Sequence, residues 1–464
     1  MPSPSAQFLH QVSKIPPALV VFVVTLLVYS VTAVPDLTVA FHSGDGGELI
    51  TAVFTGGIPH PPGYPTYLLL GRLAALLPFE PIAYRFSLFS AICGAVAAAV
   101  TGTASRSLGL QGWHAALPGL TLAFVPLVWQ QAVVTEVYAL NLAMVALFVW
   151  SLLAERPSWL VGFLLGVCLT THLTSILLLP LALLLVARHQ WPYLSVGFFL
   201  GLTPYLLLPW LARPDSPVVW GNPETVAGWW WLVSAQIYQP NQLALPAEKF
   251  MPRLVDWGKI WLQQLLFAGW VLLPWSGRQD TDKKRWLGLA GTAAAYLVYA
   301  FFYDTHDALV LTLPAWLLLS LSLTAACKRL GSWGVLLPFA LILLNFSQIE
   351  RVELHKTRPF AEQILSSSPA SAILITSGDP DIFALWYFHF VEGQRTDLIV
   401  VDDQLFAFDW YRDRLKALYP ELQGLAVDDI SAFRALNASQ RPICTVVLAE
   451  AGKLLAGNSC AEEP

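Results

Sequence analysis

Apolar residues in this chain come in long unbroken runs, unlike the alternating or one-faced patterns of soluble strands and helices. Runs suited to membrane spans lie at roughly 16–34, 83–103, 114–133, 134–154, 159–171, 173–187, 191–212, 258–276, 286–303, 309–327 and 332–348. A helical span needs about 20 residues, so the pattern predicts an α-helical polytopic membrane protein with about eleven transmembrane helices. The two runs flanking His172 are short for that length. The first run follows a single Lys and lacks a clean small-residue cleavage site, which reads as a retained span and not a signal peptide.

Two connections are long. Residues 35–82 hold "FHSGDGGELI" and then "PHPPGYPTYLLLGRLAALLPFEP", in which Pro59, Pro61, Pro62 and Pro65 force non-helical backbone before an apolar segment. One or two helices along the membrane surface are expected there. Residues 213–257 are rich in Trp and Pro, and "WWWL" at 229–232 suits the interface. After about residue 349 the pattern changes: "AILIT" and "DLIVV" read as buried strands, each followed by a helical pattern, and "ICTVVL" is a third strand candidate. The expected organisation is a transmembrane domain over 1–348 and a small extracytoplasmic α/β domain over 349–464.

Charge tests that topology. With the N-terminus cytoplasmic, the predicted inner connections carry Arg106, Arg156, Arg188, the group Arg278, Lys283, Lys284 and Arg285, and the pair Lys328 and Arg329. The short outer connections "VVTEVY", "THLT" and "YDTHD" carry no Lys or Arg, as the positive-inside rule requires, although longer outer loops hold Arg72, Arg85, Arg213 and Lys249. Of the 464 residues, 56% are hydrophobic and 12% charged, which excludes an ordinary soluble domain. The net charge of −5 shows no basic stripe, so no nucleic-acid partner is expected. The five cysteines lack zinc-site spacing; Cys93, Cys168 and Cys327 read as packing residues, while Cys444 and Cys460 form either a bridge or two thiols.

Polar side chains in or beside apolar spans are costly and ask for a partner or a function. Asp45, Glu48, His60, Glu136, His172, Asp304, His306 and Asp307 all fall on the predicted outer side. Their shared side suggests one site in the mouth of a helical bundle. Each also has a bland reading. Asp45 suits a helix N-cap in a glycine turn, Glu136 a cap or a partner of Arg85, and His172 a breaker between short helices. Asp304 and Asp307 suit solvated loop positions, and Tyr64 and Tyr138 suit interface anchors. Against these stands a chemical argument: a partly desolvated carboxylate can take a proton from an attacking hydroxyl, and neighbouring glycines let a phosphate or sugar approach the backbone. Glu48, a second acid nearby, could orient an acceptor or hold a metal.

The stretches "SGDGGELITAVFTGGIPHPPGYPTYLLLGRL", "YRFSLFSAICGAVAAA", "TEVYALN", "LTTHLTSILLLP", "YLLLPWLARPDSPVVWGNPETVAGWWWLVSAQIY" and "FYDTHDALVLTLP" resemble a widespread family of multispanning membrane proteins of undefined function, related to the protein O-mannosyltransferases of the GT-C glycosyltransferase superfamily. "AILITSGDPDIFALWYFHFVEGQRTDLIVV" is similar to that family's C-terminal domain. The resemblance implies catalysis at the first non-cytoplasmic loop, a polyprenyl-phosphate-linked sugar donor, inversion at the anomeric carbon, and an acid of that loop as general base, which Asp45 matches. Protein O-mannosyltransferases carry an adjacent Asp-Glu pair, whereas two glycines separate Asp45 from Glu48 here.

Asp45 and Glu48 are thus the catalytic candidates, and His60, Tyr64, Arg72, Glu136, Tyr138, His172, Arg213, Asp304 and Asp307 the substrate-binding ones. Among these, His172, Arg72 or Arg213 would suit the donor phosphate. No cofactor is expected, with a divalent metal left open because members of the resembling superfamily differ in using one, and the lack of a G-x-x-x-x-G-K-[ST] motif fits a lipid-linked donor. The leading expectation is a membrane glycosyltransferase moving a sugar, mannose first among candidates, to a protein hydroxyl at the outer face. The alternatives are a lipid or glycan acceptor, or a transporter or flippase of a lipid-linked substrate. A transporter usually shows repeated halves and midplane acids, which this chain lacks. A scaffold would leave the clustered acids unexplained.

Overall fold

The structure, a computed structural model, describes residues 16–273, 283–349, 357–450 and 453–460. Arg278 lies outside the described residues. Among them, three helical stretches are long and apolar enough to cross a membrane: Ile82–Ser107, Arg188–Leu211 and Ala308–Ile349. The last contains both runs expected at 309–327 and 332–348, joined through Gly331 at φ 56°. Gly112–Phe124 and Pro126–Ala132 form a further candidate bent by 73°. The break falls at Pro126, which has no amide hydrogen to continue the preceding helix and sits at the start of the next. Pro17–Thr32, Tyr138–Leu153, Ser158–Thr171 and Leu173–Leu185 are shorter apolar helices. Length and composition therefore support at least three spans; the run expected at 286–303 is one 20-residue helix, Lys283–Phe302, that is not among them, and other expected runs are shorter or broken helices. His172 divides one such pair with extended backbone at φ −165°.

Ser158–Thr171 and Trp191–Gly201 meet backbone to backbone. A Cβ placed on Gly162 would lie 1.9 Å from Leu194 O, and one on Gly197 would lie 1.8 Å from Trp159 O. Such contact suits lipid surroundings, where close van der Waals approach replaces the hydrophobic gain of burying side chains. The connections predicted to be inner come together: Lys328 Nζ donates to Leu108 O at 2.8 Å, and Arg285 pairs with Glu155. Segment 35–82 builds the two short helices Gly46–Thr55 and Pro65–Ala74, as expected, while Val226–Val233 lies within 213–257 and Ala247–Gln264 runs from it into the run expected at 258–276.

The C-terminal part carries a four-stranded sheet. Strand β1 (Ile373–Thr376) runs parallel to β2 (Ile399–Asp402) and to β3 (Ile443–Glu450), and β4 (Lys453–Cys460) pairs antiparallel with β3. The order is β2-β1-β3-β4. Every position of β1 and β2 is buried, which explains their unbroken apolar runs. β4 was not legible, because "KLLAGNSC" interrupts its apolar pattern with Gly and Asn. Cys444 and Cys460 are disulfide-bonded across β3 and β4, and Cys93, Cys168 and Cys327 are free and buried.

This sheet unit is fastened to the first long connection. The Arg358 guanidinium reaches both Asp36 and Glu392, the latter at 2.5 Å, and the Tyr387 hydroxyl accepts from Ala83 N at 3.2 Å. Helix Asp379–Trp386, which follows β1, packs on helix Gly46–Thr55.

Candidate active site

Asp45 occupies the N-cap position of helix Gly46–Thr55, yet its carboxylate makes no capping bond. Glu136 lies behind the turn and accepts the backbone N–H groups of Val137, at 3.3 Å, and of Asp45 itself. Glu136 is 1% exposed, and its Oε1 has no partner among the described residues. Arg85 is not its partner, being held by Glu80 at 2.6 Å.

The glycines around Asp45 admit protein, not substrate. A Cβ on Gly47 would lie 2.2 Å from Phe383 O, and one on Gly46 would lie 3.0 Å from Thr135 O. The C-terminal unit and the break before Tyr138–Leu153 thus press main chain onto this turn. Of the motif's glycines, Gly44 alone lines the neighbouring cavity.

Glu48, three residues after Asp45 in the sequence, has a different environment. It is fully buried, with Oε1 accepting from His60 N at 3.1 Å and Oε2 lying 2.5 Å from His60 Nδ1. His60 Nε2 faces the Tyr64 hydroxyl at 3.0 Å and Asp45 Oδ2 at 3.6 Å. The imidazole stacks on Phe383 at 6.3 Å between centroids and meets Tyr64, Trp220 and Tyr238 edge-on. Burial alone would lower the His60 pKa, but Glu48 and Asp45 outweigh it and raise it to about 10. An imidazolium therefore donates from Nδ1 to Glu48 and from Nε2 to Tyr64. Asp45 is pushed up to about 6, by burial first, with His60 opposing and Glu48 and Asp307 adding to the rise. Its side chain keeps 26% exposure, so an ionised oxygen can still accept a proton from the cavity.

That cavity measures about 460 Å³, within the range of small-molecule sites. Asp45, His60, Tyr64, Tyr138, His172 and Asp307 line it, so these expected residues are brought together from distant parts of the chain. Other expectations need correction. Glu48 lies behind His60 and positions it with both oxygens, and it does not line the cavity where an acceptor would sit. Arg72 points outward from Pro65–Ala74, and Arg213 is exposed and lies across Gly56; neither lines the cavity, so neither is placed to hold a phosphate there. Asp304 turns away to pair with Lys249 at 3.0 Å and Arg253 at 3.6 Å. Glu136 stays buried behind the turn.

Cavity residues that the sequence did not single out include His42, Tyr238 and Asp379. His42, Tyr64 and Ala235 all line it with positive φ, 61°, 39° and 48°. Such backbone costs a non-glycine residue about 1–3 kcal/mol and tends to cluster at working sites. Among the described residues no Lys or Arg lines the cavity, and no group of three or more His, Cys, Asp or Glu could hold a metal ion.

The comparisons with known proteins agree with this architecture. Residues 45–195 match the family model of the protein O-mannosyl-transferase TMEM260 N-terminal domain, and 357–428 match that of TMEM260-associated domain 2. A mouse protein named protein O-mannosyl-transferase TMEM260 is 28% identical over 84% of this chain and 64% of its own length. A Dictyostelium discoideum protein of the same name is 29% identical over 45% of this chain and 29% of its own. The chain thus spans less than two thirds of the length of either relative. The crystal structure of ArnT from Cupriavidus metallidurans bound to undecaprenyl phosphate shares the fold, with TM-score 0.56 and 14% identity over 92% of each chain. The apo form of that protein aligns at TM-score 0.54 with 15% identity, over 87% of this chain and 95% of the other. The resemblance read from the sequence is borne out, and the fold is an ArnT-like one whose helices include stretches long and apolar enough to cross a membrane.

Proposed function

We propose that this relative of the TMEM260 protein O-mannosyl-transferases is a membrane glycosyltransferase, moving a sugar, mannose first among candidates, from a polyprenyl-phosphate carrier to a protein hydroxyl at the extracytoplasmic face. The observation that carries this reading is the Asp45 carboxylate, free of any cap and directed at a cavity of sugar size. In the transfer, the acceptor oxygen bonds to the anomeric carbon while the bond from that carbon to the phosphate oxygen breaks. The hydroxyl proton passes to Asp45, and polyprenyl phosphate leaves. Attack from the side opposite the phosphate inverts the centre.

His60, held by Glu48, supplies a fixed positive charge 3.6 Å from Asp45 Oδ2, which favours the ionised base. His172 bonds the Thr174 hydroxyl at 2.8 Å and lines the cavity with it, so these two are the assigned phosphate contacts in place of Arg72 and Arg213. Leu173, Ile176 and Leu177 extend the lining with apolar surface suited to the start of a lipid tail. No metal is assigned a role.

The reading is tested by transfer of radiolabelled sugar from a panel of polyprenyl-phosphate donors, using purified protein in lipid, with and without chelator. Transfer lost in Asp45→Asn but kept with chelator is the expected result. Full activity in the variant would make the turn merely structural, and loss with chelator would bring a metal into the site.

A further inference from the structure

The C-terminal α/β unit does more than dock beside the cavity. The turn after β1 places Asp379 and Pro380 in the cavity lining, and the next turn of the helix lays Phe383 on His60. Asp379 comes from the soluble unit, whereas the other titratable groups of the lining belong to the membrane part. Among the described residues no hydrogen bond or ion pair occupies its carboxylate, unlike that of Asp402 at the end of β2, which accepts from Thr376 Oγ1, Gly378 N, Gln404 N and Leu405 N. Asp402 thereby holds the turn rigid and leaves Asp379 projecting from a fixed support. Gly378, at φ 102°, gives the sharp bend that this projection needs.

Resting on the glycosyltransferase reading above, we propose that Asp379 is a substrate-binding residue of the transfer site, contributed by the α/β unit to hold the acceptor's hydroxyl-bearing group beside Asp45. The apolar lining that suits a donor's lipid comes from Leu173, Ile176 and Leu177, at the ends of membrane helices. An acceptor arriving from water meets the soluble unit, and a carboxylate is the group that accepts a hydrogen bond from a backbone amide or a neighbouring hydroxyl. The charge of Asp45 also acts on Asp379. Asp45, Glu48, His60 and Asp402 face Asp379, while His60, Glu48, Asp307 and His306 face Asp45. Burial and Asp45 push Asp379 up to about 7, with His60 opposing.

The test compares wild type, Asp379→Asn and Asp45→Asn, with undecaprenyl-phosphate mannose as donor and a peptide carrying one threonine as acceptor. In Asp379→Asn, acceptor KM is expected to rise roughly tenfold or more, the loss of one charge-assisted hydrogen bond, with donor KM unchanged. Asp379→Glu, which keeps a carboxyl group at this position, is expected to recover much of the lost acceptor affinity, whereas a purely structural role would raise donor and acceptor KM together. An acceptor KM unmoved in Asp379→Asn, or a rise in donor KM instead of acceptor KM, overturns the proposal. Asp45→Asn separates the two readings: if it retains transfer while Asp379→Asn raises acceptor KM, the base assignment fails and the Asp379 assignment stands.

Discussion

Replacing Glu48 by Gln removes the main counter-charge of a buried imidazolium while keeping the side-chain shape. His60 has 8% of its side chain exposed and Glu48 none, so solvent does little to screen the pair. Raising a histidine from about 6.5 to about 10 corresponds, at 1.36 kcal/mol per pH unit, to a ceiling of about 5 kcal/mol. Asp45 and Asp379 share in that shift, and breaking one side of a buried pair costs about 3–5 kcal/mol, so a loss of about 3 kcal/mol is expected near neutral pH. The sign follows from linkage. A folded-state pKa raised above the unfolded value gives stability that is complete below about pH 6.5 and lost as pH rises toward about 10. The gap in Tm between wild type and Glu48→Gln should therefore be widest near pH 6 and should close toward pH 10. Thermal unfolding in detergent, followed by tryptophan fluorescence at several pH values, measures it. A gap that is absent, or equal at both ends, would refute an imidazolium held by Glu48.

Asp45 must be ionised to act as a base, so wild-type kcat/KM should fall as pH drops through about 6, and Asp45→Asn should cost about 10²–10⁴ in kcat. Gly47→Ala places a methyl group 2.2 Å from Phe383 O; overpacking of about 1–3 kcal/mol should lower Tm and make the C-terminal unit more open to limited proteolysis. Arg72→Ala should leave donor KM within twofold of wild type, since that side chain lies outside the cavity, and a large rise would return it to the phosphate site.

The sequence revealed the cavity's membrane-side wall because charge is scarce there. An Asp, His or Tyr beside an apolar run stands out, and Asp45, His60, Tyr64, Tyr138, His172 and Asp307 indeed converge. Side-chain direction was not legible. Asp304 and Asp307 share one loop, but Lys249 and Arg253 pull the first outward. Arg72 and Arg213 had the right chemistry for phosphate and the wrong side of their segments. Asp379 escaped notice because an aspartate in a turn after a strand is ordinary in a soluble unit; its meaning depends on where that unit docks. Strands β1, β2 and β3 were plain from their buried β-branched runs, whereas β4 exists through its pairing with β3 and the disulfide it shares with it.

Between Gly47 and Phe383 there is no side-chain layer on the glycine's side, only main chain against main chain. Side chains can change rotamer and absorb a small displacement, as a gasket does; peptide planes in contact cannot. Anything that grips or tilts the C-terminal unit would therefore pass its motion undamped to the turn that carries Asp45. The joint behaves as a rigid lever, with the carboxylate at its short end.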